Sequence, residues 1–173
     1  MLKGNRRAMA RLFTLLEQDS QKLTSIMSAV YPHTGQAYCI GITGPPGVGK
    51  STIVDCLVRM LRTQGVAVGV LAIDPTSPIS GGAVLGDRIR MQRHYLDQKV
   101  FIRSLATRGT HGGLTRVAQA SVNLLDAYGK ETVIVETVGV GQTELGIMQV
   151  ADTIVVVLSP EAGDSIQAMM RYR

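Results

Sequence analysis

The sequence predicts an α/β fold: a mainly parallel central sheet flanked by helices, preceded by a short helical segment. Three observations carry this. Short runs of Val, Ile, Leu and Ala recur without polar alternation, the pattern of strands covered on both faces. Segments with helical spacing lie between them, in the order of βαβ units. The first strand-to-helix junction is a glycine-rich loop, "GPPGVGKS", spanning 44–51.

The elements follow in order. Residues 5–30 read as helix: Leu12, Leu15 and Leu16 sit at i, i+3, i+4, and Leu23, Ile26 and Met27 repeat the rhythm. Ser20 or Asp19 is placed to cap a second helix after a break. Tyr31-Pro32-His33-Thr34-Gly35 is a turn-rich connector. Residues 37–43, "AYCIGIT", read as a short strand, and 52–65 as a helix closing on Gly65. Residues 66–74 are apolar on both faces, as a buried parallel strand is, and 99–105 form another strand. A helix over 114–129 closes on Gly129, a residue suited to the left-handed cap. Residues 132–137 and 152–159 read as two more buried strands. The final "AGDSIQAMMRYR" begins a helix directly after a strand, so the domain is expected to be incomplete at its C-terminal end.

Composition sets the class. The chain has 173 residues, 45% of them hydrophobic and 18% charged, which suits one globular domain rather than a disordered chain. Aromatics are only 4%, so the core is expected to be Val, Ile, Leu, Ala and Met. Eighteen basic residues against thirteen acidic ones give +5. The denser groups, Lys3, Arg6, Arg7 and Arg11 and then Arg88, Arg90 and Arg93, lack the interleaved aromatics of a single-strand binder. No nucleic-acid partner is therefore expected. Cys39 and Cys56 both lie in apolar segments and read as buried thiols in a reducing compartment. No run approaches the roughly 20 apolar residues of a membrane span. The basic start is spaced as an amphipathic helix, not as a secretory h-region; a transit peptide is the alternative, disfavoured because Glu17 and Asp19 continue the same pattern. The expected location is cytoplasmic, or the mitochondrial matrix in a eukaryote, with no membrane partner.

The loop defines the chemistry. Gly44-x-x-x-x-Gly49-Lys50-Ser51 completes the G-x-x-x-x-G-K-[ST] phosphate-loop (P-loop) pattern, between a strand and a helix as the motif requires. Glycines let backbone N–H groups turn inward without Cβ clashes, and the following helix aims its positive end at the same anion. Lys50 can reach the β- and γ-phosphates, and the Ser51 hydroxyl can bind Mg²⁺. Gly44, Pro45, Pro46, Gly47, Val48, Gly49, Lys50, Ser51 and Thr52 are the expected nucleotide-binding residues, with Gly139 further on. The alternative, a glycine-rich turn with an incidental lysine, fits the full pattern poorly.

In "TVIVETVGVGQTE", Glu136 ends a buried strand and Gly139 follows three residues later. P-loop switches hold an acid at that strand end for Mg²⁺ and a glycine whose N–H meets the γ-phosphate. The plainer reading is a strand-end acid facing solvent. "LAIDPTSPISGGAVLGDRIRM" has Asp74 at a strand end, then a proline- and glycine-rich stretch leading to Asp87. A loop carrying an acid near the phosphates suits a nucleotide-sensing switch; pairing of Asp87 with Arg88 or Arg90 is the alternative. Metal-side residues are thus expected at Ser51, Asp74, Asp87 and Glu136, and catalytic ones at Lys50, Asp87 and Glu136. Arg108 could supply charge to a phosphoryl group and His111 could line the site, but both read better as loop residues; Gln142, just past Gly139, is a weaker candidate for orienting the attacking water.

Five stretches, "GNRRAMARLFTLLE", "GITGPPGVGKST", "LAIDPTSPISGGAVLGDRIRM", "VIVETVGVGQTE" and "AGDSIQAM", resemble the MeaB/ArgK-type G proteins. The human relative in that family is the methylmalonyl-CoA mutase-associated protein of cobalamin metabolism. The resemblance implies a helical segment over 1–36 and a P-loop G domain over 37–173. It implies a Mg²⁺-dependent GTPase using GTP and GDP, homodimeric at full length. It also implies a chaperone role toward an adenosylcobalamin-dependent mutase, in cofactor loading, protection or reactivation. By motif, Lys50 and Ser51 match the phosphate and Mg²⁺ residues, and Asp74, Asp87 and Glu136 the metal-side acids. Residues 161–170 fall at a partner-sensing switch, although they depart from the expected "LQGIKKG". Family members also carry an N-K-x-D guanine-reading motif and a C-terminal dimerisation arm, neither present here, so guanine preference rests on the resemblance. Two other functions compete: an ATP-dependent kinase or transport ATPase for a small amino acid such as arginine, and a nucleotide-stabilised interaction module with little turnover.

Overall fold

The structure, a computed structural model, describes residues 1–2, 4–18, 20–75, 91–107, 111–137, 146 and 149–159. Its elements are α1 (Arg6–Gln18), α2 (Ser20–Val30), β1 (Tyr38–Thr43), α3 (Lys50–Thr63), β2 (Val68–Pro75), β3 (Val100–Thr107), α4 (His111–Ala127), β4 (Thr132–Thr137) and β5 (Thr153–Val156). Short 3-10 turns at Tyr31–His33 and Gln92–His94 join them. The five strands are parallel in the order β3-β2-β4-β1-β5.

Alternate strand residues feed two cores. On one face Ile42, Val68, Val70, Val100 and Ile134 pack with Val54 and Val58 of α3. On the other, Leu71, Phe101, Val133 and Val135 pack with α1, α2 and α4 through Met9, Phe13, Val30 and Leu124. All six residues of β4 are buried, the apolar Val133, Ile134 and Val135 and the polar Thr132, Glu136 and Thr137 alike, as suits a strand covered on both faces. One expectation fails. The last strand was expected to be buried, yet β5 lies at the sheet edge, with Val155 38% and Val156 44% exposed. An apolar run looks the same in sequence whether its strand has one neighbour or two.

Both long helices stop where glycine permits a left-handed turn. Gly65 (φ +84°) follows α3 and Gly129 (φ +87°) follows α4. The N–H of Val66 reaches back to Leu61 O at 3.1 Å, and that of Lys130 to Leu125 O at 3.0 Å. Helix α4 starts at His111, ahead of the expected 114, because Gly112 and Gly113 are poor helix formers that hide its first turn from a propensity reading.

The N-terminal helices belong to the same core as the sheet. Phe13 stacks on Phe101 at 5.6 Å, Arg6 lies over the Phe101 ring at 5.5 Å, and Arg103 over the Phe13 ring at 5.8 Å. Arg103 Nη2 also donates to Glu17 Oε2 at 2.7 Å. The Asp126 carboxylate accepts from the N–H groups of Gly35, Gln36 and Ala37, pinning the connector to α4. The cysteines separate. Cys39 is buried, but Cys56 is exposed, against expectation, because it lies across α3 from the buried face of Lys50, Ser51, Val54, Asp55 and Val58. Among the described residues, no helix is long and apolar enough to cross a membrane.

Two buried groups make stability depend on pH. Burial, reinforced by the Arg6 and Lys99 charges, pushes the Lys130 amine down from 10.5 to about 8. Its Nζ donates to Lys99 O at 2.9 Å. Between about 8 and 10.5 the unfolded chain holds the Lys130 proton more tightly than the folded one, so stability rises with pH there. Cys39 acts oppositely. Burial, and then Asp152, pushes its thiol up from 9.0 to about 12, so stability is lost as pH rises above 9.0. Between pH 8 and pH 9 the Lys130 contribution is therefore expected to add up to about 1.4 kcal/mol per pH unit. Urea unfolding across that interval should lose this increment in Lys130→Met. An unchanged slope in the variant would refute the assignment.

Candidate functional site

The loop 44–49 leaves the carboxyl end of β1, the edge where open parallel sheets bind ligands. Three of its glycines take positive φ: Gly44 at +140°, Gly47 at +81° and Gly49 at +91°. Gly44 has a second constraint. An added Cβ would lie 2.1 Å from Val157 O, because the Val157 N–H bonds Thr43 O at 2.8 Å and draws the chain after β5 across the loop's start. Gly49 caps α3 without a side-chain bond, and the helix's first turn contains no acid. The positive end of the helix thus meets the loop with no carboxylate competing for it.

Three polar side chains converge there. Lys50 is buried and folds over the loop, its Nζ donating to Gly44 O and Pro45 O at 2.8 Å each. The Ser51 hydroxyl donates to Glu136 Oε1 at 2.7 Å, and both residues are buried. Register explains the meeting: Glu136 on β4 pairs with Ile42 on β1, one residue before β1 ends. The two strand ends are also tied by Thr137 Oγ1 donating to Thr43 Oγ1 at 3.1 Å.

The other expected residues are placed less fully. Asp74 sits near the end of β2, opposite Ala106 and one residue past the pairing of Ile73 with Thr137, so its backbone lies at the same sheet edge as Glu136. Asp87, Gly139, Arg108, Gln142 and 161–170 lie outside the described residues, and His111 opens α4. Pro46, Gly47, Gly49 and Thr52 are exposed along the loop and first turn, while Pro45 and Val48 are partly covered.

Among the described residues, no group of three or more His, Cys, Asp or Glu converges as a metal centre. The Ser51–Glu136 pair nevertheless offers a hydroxyl and a carboxylate side by side. Such hard oxygen donors suit Mg²⁺, which takes few protein ligands and keeps much of its water. A pairing that the sequence reading missed lies one turn along α3: His94 Nε2 donates to Asp55 Oδ1 at 2.9 Å. The available signal was a lone acid inside the apolar rhythm of "TIVDCLVRM", four residues after Ser51.

Comparison with known proteins gives the family. A protein of Pyrococcus abyssi named as a GTPase is 57% identical over 169 residues, covering 98% of this chain and 52% of its own length. The mouse mitochondrial methylmalonic aciduria type A homolog is 35% identical over 185 residues, covering 99% of this chain and 45% of its own. The crystal structure of an LAO/AO transport system kinase superposes with a TM-score of 0.69 at 31% identity, covering 90% of this chain and 46% of that one. The chain thus spans about half the length of the curated relatives it matches. The family model described as methylmalonyl Co-A mutase-associated GTPase MeaB matches residues 9–171, and the chain belongs to that family.

Proposed function

We propose that this chain binds GTP with Mg²⁺ and hydrolyses it slowly, in the service of an adenosylcobalamin-dependent acyl-CoA mutase whose cofactor loading, protection or reactivation it governs. The observation that carries the chemistry is the convergence of Lys50, Ser51 and Glu136 on a glycine loop at the carboxyl end of β1. The mutase role rests on the family's description and on the mouse relative's name.

In this reading the backbone N–H groups of 44–52 wrap the phosphates. Lys50 exchanges the Gly44 and Pro45 carbonyls for β- and γ-phosphate oxygens. Ser51 and Glu136, with Asp74 and Asp87, would hold Mg²⁺, which would neutralise phosphate charge when bound. Gly139 meets the γ-phosphate. Lys50, Asp87 and Glu136 carry the catalytic effect by positioning and electrostatics. The division into a helical segment over 1–36 and a G domain over 37–173, a homodimer at full length, and a cytoplasmic or mitochondrial-matrix site belong to the same proposal.

Competition between fluorescent GDP and ADP with Mg²⁺ present tests the nucleotide. Preference for GDP is expected; equal binding or preference for ADP overturns the guanine assignment. Glu136→Gln should cost on the order of 10–100-fold in Mg²⁺-dependent turnover while the thermal melt is retained. Loss of stability alone would make Glu136 a structural acid. The kinase reading draws on the name of the superposed crystal structure. ATP turnover that depends on arginine or a similar amino acid would put it first. Tight binding with no turnover, even beside a mutase, would leave an interaction module.

A further inference from the structure

We propose that His94 is a positioning residue for the phosphate site, acting through Asp55 on the first turns of α3; this rests on the nucleotide reading above. Asp55 follows Ser51 by four residues, so the two share one face of α3. Both are buried, and both are held by polar contacts to other parts of the chain. Ser51 Oγ reaches Glu136 on β4 at 2.7 Å, and Asp55 Oδ1 accepts from His94 Nε2 at 2.9 Å. Arg93 Nε stands 3.5 Å from the same Asp55 oxygen, on a largely exposed side chain.

The turn that supplies His94 is itself anchored. Met91 is fully buried in the α3-side core with Val54 and Val58, and the His94 N–H bonds Met91 O at 3.1 Å. The Asp97 N–H bonds His94 O at 3.2 Å, and Asp97 Oδ2 accepts from Arg62 Nε at 2.8 Å. The segment 91–97 therefore holds α3 at two polar points, one near its phosphate end and one near its far end. Packing alone would be served by an apolar residue at 55, because a buried carboxylate is costly unless it is paired. The Asp55–His94 contact adds direction. It restricts the rotation of α3 about its axis, and that rotation decides whether Ser51 Oγ faces Glu136.

The test compares binding of a non-hydrolysable GTP analogue in Mg²⁺ and in EDTA, together with the thermal melt. In the native chain Mg²⁺ should tighten binding. His94→Leu should shrink that gain about fivefold or more, with affinity in EDTA held within about twofold, as expected when α3 is free to turn Ser51 away from the metal, since loss of supporting groups around a metal site costs on the order of 10-fold or more. His94→Gln, whose amide nitrogen can take the place of Nε2, should restore most of it. An unchanged gain in folded His94→Leu overturns the proposal. So does a parallel fall in both affinities that tracks the melt, since that marks a purely structural contact. If His94→Leu does not fold, Asp55→Asn carries the comparison, and an unchanged gain there is equally fatal. A native chain that binds the analogue without any gain from Mg²⁺ removes the metal part of the proposed function, and this inference with it.

Discussion

Lys50→Ala is expected to lose nearly all affinity for a nucleoside triphosphate while the fold survives. The Lys50 ammonium is buried against the loop and donates to the carbonyls of Gly44 and Pro45 at 2.8 Å each. Gly44 is buried and Pro45 half-buried, so the cost to folding should be about 1–3 kcal/mol, short of unfolding the chain. The cost to binding is larger. Hydrogen bonds to charged groups contribute about 1.5–3 kcal/mol each, and Lys50 is placed to make two with phosphate oxygens. Together these correspond to a loss on the order of 10² to 10⁴-fold. Titration with a fluorescent triphosphate, beside a circular dichroism melt, measures both quantities. A folded Lys50→Ala chain with native affinity would refute the phosphate-cradle assignment.

The loop was legible in sequence because its chemistry needs particular residues at fixed, local spacing. Glycines at 44, 47 and 49 adopt the positive φ that the pattern implies, and Lys50 and Ser51 open the helix. Glu136 was legible as a strand-end acid, but its partner was not. Ser51 lies 85 residues away, and only the parallel register of β1 with β4 brings them together. The same limit explains what was misread. Nothing local separates a central apolar strand from β5 at the edge, or Cys56 on the exposed side of α3 from a core thiol. Low aromatic content correctly implied an aliphatic core, yet it hid the importance of the few rings present. Phe13 and Phe101 stack and receive Arg103 and Arg6, so part of the N-terminal basic group is spent joining α1 to β3. The Asp55–His94 pair spans 39 residues and two unlike segments, and no periodic pattern announces it.

Gly44→Ala is expected to be the most destabilising single change in the loop, and comparison with Gly47→Ala isolates the cause. Both glycines have positive φ, so alanine is strained at either position, at a cost of roughly 1–3 kcal/mol. At Gly47 an added Cβ meets nothing within 4 Å. At Gly44 it would sit 2.1 Å from Val157 O and 3.0 Å from Val157 C, which are backbone atoms with no rotamer to yield. Nor can the strand retreat cheaply. The Val157 N–H bonds Thr43 O at 2.8 Å, and β5 pairs with β1 from Ile40↔Thr153 to Thr43↔Val156. Relief therefore means peeling the edge strand from β1 and exposing Ile42, which is fully buried. Gly44→Ala should consequently cost a further amount of about 2 kcal/mol or more beyond Gly47→Ala, since overpacking against an unyielding neighbour adds to backbone strain. Urea unfolding of the two variants provides the comparison. Equal losses would mean that conformation alone demands glycine at 44. An excess loss in Gly44→Ala, with faster hydrogen exchange at the Val157 amide, would show that close approach of the β5 exit to the loop demands it as well.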